Sequence, residues 1–491
     1  TFVYQTTAQR TRQLHVIESS DGARYTYAYD DQGRVGSVIN QSGASSTLVW
    51  DAQGHRTGLI DAQGQRTTYS YDSHGQMEAV TDALGHVTTR VYDAQGRRVA
   101  DVNPLGERTT HGYDAAGNVI ATTDPLGYTT TLIRDNMNRV VARVNPLGER
   151  TTLTYNLNGR LVSRENPLGQ IGTNVYEAGR LRAQVDPLGH RRTYTYDTAG
   201  NRIATTNALG ATTSSVYDAA NRLAVVDALG HRTTYGYDTT GNRISVQNPL
   251  GALATTVFDE RNRRVASIDP LGHRTCYVYD PVGQLLAEID PLGQRTSYAY
   301  EYGRRVAVQN ALGYVATTVY DATGRRVAMV NPLGARASLA YDGAGRVVAE
   351  INPLGHYTTT VYNAAGRPIA NINPLGQRTS YTYDARGKRI EMIDPLGNMS
   401  TAVYDAAGRQ VAAINPLGER ITNVYDSGGR VIARVNTLDE RTTTVLDAVG
   451  QGIAVVDPLG NRATNVFDAV GNQVSQVNPL GYRTTNVFDA A

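Results

Sequence analysis

Two kinds of four-residue turn alternate along this chain about every ten residues, and that alternation limits it to one kind of fold. From Asn103 the order is Asn103-Pro104-Leu105-Gly106, Arg108-Thr109-Thr110, Tyr113-Asp114-Ala115-Ala116-Gly117, Ile120-Ala121, and then Asp124-Pro125-Leu126-Gly127 opens the next unit. The tetrapeptide returns at 145, 166, 186, 207, 227, 248, 269, 290, 310, 331, 352, 373, 394, 415, 436, 457 and 478, a period of 21 residues shortened to 20 after 166, 207 and 290. Ala replaces Pro at Ala208, Ala228 and Ala311, Thr does so at Thr437, and looser versions start at Ser19, Asn40, Asp61 and Asp82. A fixed period in this range marks an array whose units pack only on their neighbours. The array runs unbroken over 19–491, and 1–18 reads as an irregular first unit in which a short insertion follows Tyr4. Both ends read as cuts through a longer array.

Each unit has the chemistry of a β-hairpin. In Asn415-Pro416-Leu417-Gly418 the Asn side chain accepts from the backbone two residues on, Pro presets the dihedral of a type I turn, and Gly takes the left-handed conformation. Tyr404-Asp405-Ala406-Ala407-Gly408-Arg409 obeys the same rules, with Asp405 capping the turn opposite Arg409. A type I turn closed by a left-handed residue is a common hairpin connection with a bulge. The six- or seven-residue stretches between turns, such as Arg420-Ile421-Thr422-Asn423-Val424-Tyr425, are rich in the Thr, Val, Ile and Tyr that favour strands. No stretch offers helical periodicity free of Gly. The expected fold is all-β: tandem hairpins joined into one long antiparallel sheet.

About 46 strands at ~4.8 Å each would make a ribbon of roughly 220 Å. Open sheets twist and curl well before that length, so the expectation is a ribbon that spirals into a hollow shell or tube. Leu stands third in every tetrapeptide from Leu84 to Leu480, a row of apolar residues at turns. Such a row needs cover, from the next coil, from another subunit, or by folding over its own hairpin. An odd unit length poses a question of parity. The residue two before the Tyr alternates between bulky and small units, as in Tyr194 and Asn174, which predicts that neighbouring hairpins differ in which face carries the bulk.

The remaining composition narrows the function. A net charge of +2, with Arg spread through the repeats and Lys388 the only lysine, gives no basic stripe for nucleic acid. Cys276 is the only cysteine, so neither a disulfide framework nor a Cys/His zinc site is available. No run of about 18 apolar residues predicts a membrane-spanning helix. His86, His190, His231, His273 and His356 follow turn glycines and lie on a rim, too widely spaced to share a metal. Calcium-binding β-rolls need Gly-Gly-x-Gly-x-Asp spacing, which is absent. No nucleophile elbow, zincin or phosphate-loop motif occurs, so no catalytic residue, metal or cofactor is expected. The unit tyrosines Tyr113, Tyr155, Tyr196, Tyr237 and Tyr279 read as a structural ladder, with stacking on bases or sugars the less favoured alternative.

The Tyr-Asp-x-x-Gly-Arg core, as at 404–409, with Pro-x-Gly about ten residues on, resembles the YD-repeat or RHS-repeat family over essentially the whole chain. The resemblance implies a spiral of hairpins forming a hollow shell in a large secreted or surface protein, as in bacterial polymorphic toxins, wall-associated proteins and teneurins. The toxin-type core motif that leads to self-cleavage and an effector does not follow Asp457-Pro458-Leu459-Gly460, after which ordinary units continue. Three functions remain open. The first is a non-enzymatic structural wall that packs coil to coil or self-associates through the Leu rims. The second is the encapsulating shell of a secreted toxin whose cargo lies elsewhere. The third is an adhesion module using exposed Tyr and Arg.

Overall fold

The computed structural model describes residues 2–6, 12–18, 24–40 and 43–489. They form 47 strands of one antiparallel sheet, with no helix among the described residues. The expectation of an all-β hairpin array therefore holds. The chain gathers into two compact units, one of Thr1–His111, Asp124–Leu126 and Ala254–Gln377, the other of Gly112–Thr123, Gly127–Leu253 and Arg378–Ala491. Within each unit a strand pairs with its neighbours in sequence. Arg274–Tyr279, for example, pairs with Arg264–Ile268 on one side and Leu285–Ile289 on the other. The irregular first unit also pairs two strands, Phe2–Thr6 and Arg12–Glu18. The insertion expected after Tyr4 falls mainly on 7–11, outside the described residues.

The odd unit length exchanges no faces between neighbouring hairpins. A bulge precedes the aromatic residue in hairpin after hairpin, between Val278 and Tyr279 and between Val424 and Tyr425 for example. A bulge sets two residues against one, so it absorbs the odd residue and no face is exchanged. Asn174 lies opposite Gln184, and Gln184 lies opposite Arg192, which shares a face with Tyr194. The Tyr194 hydroxyl donates to Gln184 Oε1 at 2.6 Å. Tyr194 and Asn174 thus point to the same side. The alternation of bulky and small residues changes the size of the side chain there, not its direction.

One face carries Tyr277, Glu288 and Ser267; the other carries Val278, Ala266, Ala287 and Cys276. Among the described residues the buried set is a column of alanines at the middle of the shorter strands, Ala266 and Ala287 among them, together with Val16, Tyr194 and Ser475. The space there is small. A Cβ added at Gly58, the equivalent position in Arg56–Ile60, would stand 3.1 Å from Val49 Cβ. Among the described residues there is no large apolar core to stabilise the array. Stability must come from backbone pairing, cross-strand side-chain pairs and the turns themselves.

Candidate assembly rims

The two turn types lie at opposite ends of the strands, so each edge of the sheet carries one kind of turn. At the Leu turn, Gly106 N donates to Asn103 O at 2.9 Å and Asn103 N to Glu107 O at 3.1 Å. Asn103 Oδ1 accepts from the amides of Leu105 and Glu107, both at 3.0 Å. Pro104 fills the position whose dihedral it presets, and Gly106 has φ +80°, which a side chain would strain. The Asn103 amide group also donates to Glu107 Oε2 at 2.6 Å. Asn415, Pro416, Leu417 and Gly418 repeat this arrangement, with Leu417 N donating to Asn415 Oδ1 at 3.0 Å and Asn415 Nδ2 to Glu419 Oε2 at 2.6 Å.

The Tyr-Asp turn adds a link to the next hairpin. Asp405 accepts from Arg409 N at 2.9 Å and from Arg409 Nε at 2.7 Å, while Gly408 N donates to Asp405 O at 2.9 Å. Arg409 then reaches forward. Its Nη1 donates to Asp426 O at 3.3 Å and its guanidinium lies 4.7 Å from the centre of the Tyr425 ring, a cation–π contact. Tyr425 in turn donates its hydroxyl to Gln410 O at 2.8 Å, and Tyr404 donates to Arg389 O at 3.2 Å. Ring, guanidinium and carboxylate thus fasten each hairpin to the one before. At Asp426 burial favours the protonated acid, but the Arg430 amide and guanidinium outweigh it and hold the carboxyl below the ordinary carboxylate range. The turn opened by Tyr113 and closed by Gly117 uses Asn118 in place of Arg. The Asn118 side-chain amide, ahead of its backbone amide, holds Asp114 below the ordinary range.

The rims are not covered equally. From Leu84 to Leu250 the turn leucines are between 38% (Leu188) and 58% (Leu250) exposed, whereas from Leu271 to Leu480 they are between 75% (Leu438) and 88% (Leu333) exposed. Tyr-Asp turns show the reverse. Ala115, Ala116 and Gly117 are exposed, but Ala406, Ala407 and Gly408, in the same sequence context, are half-buried. The contacts explain the pattern. In the first unit a Cβ added at Gly343 would lie 3.3 Å from Leu105 Cδ2 and 3.5 Å from Pro104 Cβ. In the second, a Cβ at Gly428 would lie 3.1 Å from Leu188 Cδ1.

Charged and polar pairs mark the same seams. Arg304 Nη1 donates to Gln63 Oε1 at 3.1 Å across 241 residues, and Arg346 approaches Glu107 at 3.5 Å across 239. In the second unit Arg386 Nη1 lies 3.0 Å from Glu149 Oε1 across 237 residues. Burial favours deprotonation of Arg386, yet Asp384 and then Glu149 raise its pKa above the ordinary value. Separations near 239 residues are about eleven and a half repeats of 21. The half repeat is required, because unlike turns meet only when the chain returns on the opposite edge. Nothing in the sequence marks these partners; they depend on how far the chain travels before returning.

The other residues singled out from sequence have local roles. His86, His190, His231 and His273 each bring Nδ1 to between 2.9 and 3.0 Å of the Asp that opens their own turn, and His356 approaches Asn352 at 3.5 Å. They occupy the bracing position that Glu107 fills elsewhere. Among the described residues no three His, Cys, Asp or Glu side chains converge as a metal site. Cys276 is half-buried and accepts from Arg274 Nε at 3.4 Å. Tyr155, Tyr196, Tyr237 and Tyr279 all donate their hydroxyls to backbone oxygens fifteen residues earlier, so these edges are committed to the array. No described helix is long and apolar enough to cross a membrane.

The repeat itself identifies the chain. The family model "RHS Repeat" matches residues 50–87, 73–110, 92–129, 113–150, 176–212, 217–253, 279–318, 320–360 and 362–399, together more than half of the sequence. No curated protein matches it. Among solved structures, the TcdB2–TccC3 complex without its hypervariable C-terminal region is similar at a TM-score of 0.64 and 14% identity, over 98% of this chain and 31% of that one. A Tc holotoxin pore of Photorhabdus luminescens with a mutated TccC3 is similar at a TM-score of 0.61 and 15% identity, over 94% of this chain and 30% of that one. The TcdB2–TccC3 complex is similar at a TM-score of 0.55 and 13% identity, over 97% of this chain and 38% of that one. The chain spans about a third of the length of the solved chains it resembles. With the family model recurring from residue 50 to residue 399 on an uninterrupted hairpin array, this chain belongs to the RHS-repeat family.

Proposed function

We propose that this chain is a non-enzymatic structural wall of a secreted or cell-surface RHS assembly, packed coil to coil through its Leu-bearing rims. The observation that carries this reading is the use to which each repeat puts its reactive groups. Asp405 is occupied by Arg409, Arg409 by Tyr425 and Asp426, and Tyr425 by the backbone at Gln410. A catalytic carboxylate needs a pKa matched to its task, whereas the turn carboxylates Asp93, Asp135 and Asp342 are all shifted downward, towards permanent ionisation. Seams such as Glu149–Arg386 and Leu188–Gly428 support coil-to-coil packing as the way the wall is held. Electron microscopy of the purified chain tests the proposal. Curved walls one sheet thick are the expected image, and a compact multilayered particle would refute it.

A second reading, the encapsulating shell of a toxin, is favoured by the likeness to the TcdB2–TccC3 complex. On that reading a polypeptide fused behind residue 491 resists added protease while the array is folded and becomes sensitive once the array is unfolded. Equal sensitivity in both states would exclude it.

A further inference from the structure

Arginines that are spread evenly along the sequence gather on one face of the second unit. Arg143 lies opposite Thr151, Leu153 opposite Arg164, Arg164 opposite Gly172, and Gln184 opposite both Asn174 and Arg192. Side chains alternate along a strand, so Arg143, Arg164 and Arg192 share a face with Tyr194. Cross-strand pairing through Thr205, Thr213, Ser215, Val225 and Thr233 carries that face on to Tyr235. Arg202, Arg222 and Arg243 open successive shorter strands and turn onto it. Arg202 stands 5.5 Å from the centre of the Tyr194 ring, and Arg222 and Arg243 stand 5.3 and 5.5 Å from that of Tyr235. All six arginines are exposed.

Among the described residues no carboxylate lies within ion-pair distance of any of the six. The strand acids of this stretch are Glu165 and Glu177. Glu165 follows Arg164 and so lies on the opposite face, and Glu177 is taken by Arg182 at 2.7 Å. In the first unit the same face is balanced. Asp101, in the position that Arg143 fills here, pairs with His111 at 3.0 Å and Arg98 at 3.5 Å, and Glu288 and Glu350 stand at that position in their own strands. The second unit therefore presents unmatched positive charge to an anionic partner. We propose that this face binds an acidic polysaccharide lying across the hairpins. The surface adds a partner to the wall and does not depend on how the rims pack.

Three observations select that polymer. The first is spacing. Arg202, Arg222 and Arg243 follow one another at one hairpin, about 10 Å, as do Arg143 and Arg164. A nucleic-acid duplex carries a charge about every 1.7 Å of its length, far denser than this row. A glycan with one carboxylate or sulfate for each pair of sugar rings is as sparse as the row itself.

The second is what lies between the charges. Thr205, Thr213, Ser215 and Thr233 place hydroxyls between the arginines, and a hydroxyl both donates to and accepts from the hydroxyls of a sugar. The tyrosines offer no platform for a base, as single-stranded nucleic acid needs. Tyr194 is only 7% exposed, and Tyr235 already carries two guanidinium groups.

The third is a place for one acidic sugar. Gly172, opposite Arg164, has no side chain, and the gap opens as a cleft of about 520 Å³ whose lining includes Arg164, Asn174, Gln184 and Arg192. Two planar guanidinium groups there can each fork onto a carboxylate or a sulfate.

Binding of the whole chain to immobilised glycans, read by biolayer interferometry at low and raised salt, tests the proposal. Hyaluronan, with one carboxylate per disaccharide, and dextran sulfate are the probes; neutral dextran, polyglutamate and single-stranded DNA are the controls. At least one acidic glycan should bind, more weakly as salt rises, and neutral dextran should not. Binding of hyaluronan assigns the site to carboxylates, and binding of dextran sulfate alone assigns it to sulfates. Arg222→Gln with Arg243→Gln should weaken binding roughly three- to tenfold. Arg164→Gln with Arg192→Gln should do the same, and this pair touches no ring, so it serves if the first pair impairs the sheet by circular dichroism. Arg150→Gln with Arg232→Gln removes as much charge from the opposite face and should leave affinity unchanged. Failure of both acidic glycans to bind, equal loss from the two faces, or tighter binding of polyglutamate or DNA overturns the inference.

Discussion

Replacing covered turn leucines should weaken the array where replacing bare ones does not. In the second unit Leu147, Leu168, Leu188, Leu209 and Leu229 are 38–54% exposed, and Leu396, Leu417, Leu438, Leu459 and Leu480 are 75–87% exposed. On average the two sets differ by about a third of a leucine's surface. Full burial of a leucine contributes roughly 1.5–3 kcal/mol, so each covered leucine contributes about 0.5–1 kcal/mol. The turns are about 10 Å apart, far enough for effects to add, so truncating all five to Ala should cost roughly 2.5–5 kcal/mol. The same five truncations on the bare rim should cost little, since exposed substitutions stay within about 0.5 kcal/mol each. Hydrogen exchange at the opposing turns, read at Gly408 and Gly429, is the appropriate assay, because an array opens locally before it unfolds as a whole. Opening should become easier by the stated amount for the first set and change little for the second. Equal losses for both sets would show that the leucines merely cover their own hairpins, and the seam would then carry no energy.

Three further outcomes follow from the same geometry. A double-mutant cycle on Glu149→Gln and Arg386→Met should show a coupling of about 1–2 kcal/mol in urea unfolding, and a coupling of zero would mean the 3.0 Å pair is incidental. Gly408→Ala forces a side chain into a backbone of φ +78° and should destabilise its hairpin by about 1–2 kcal/mol, seen as faster exchange at Arg409. Asp238 is held down to about 2, first by the Asn242 side-chain amide, so its folded value lies below the ordinary 3.8. The stabilisation linked to it is complete above the unfolded value and is lost as pH falls from about 3.8 towards 2. Asn242→Ala should move the Asp238 titration back towards the ordinary range in carboxyl-detected NMR, and an unchanged titration would discredit the assigned cause.

Hairpins, turn types and strand boundaries were legible in the sequence because they depend on neighbours a few residues apart. Asn103 caps Leu105 and Glu107 whatever the rest of the chain does, and the left-handed Gly106 closes the turn by itself. The Asp405–Arg409 clamp was visible for the same reason, its partners being four residues apart. Face parity was not legible because a bulge is a property of two paired strands. The variation at Tyr194 and Asn174 reports side-chain size, and only the register between strands shows that both point the same way. The seams were beyond reach altogether. Identical turns recur every 21 residues, so every Glu after a Leu turn and every Arg in a Tyr-Asp turn looks equally available. Which of them meet, Glu149 with Arg386 or Leu188 with Gly428, is decided by the accumulated twist and curvature of more than twenty paired strands, small local angles that no single repeat records.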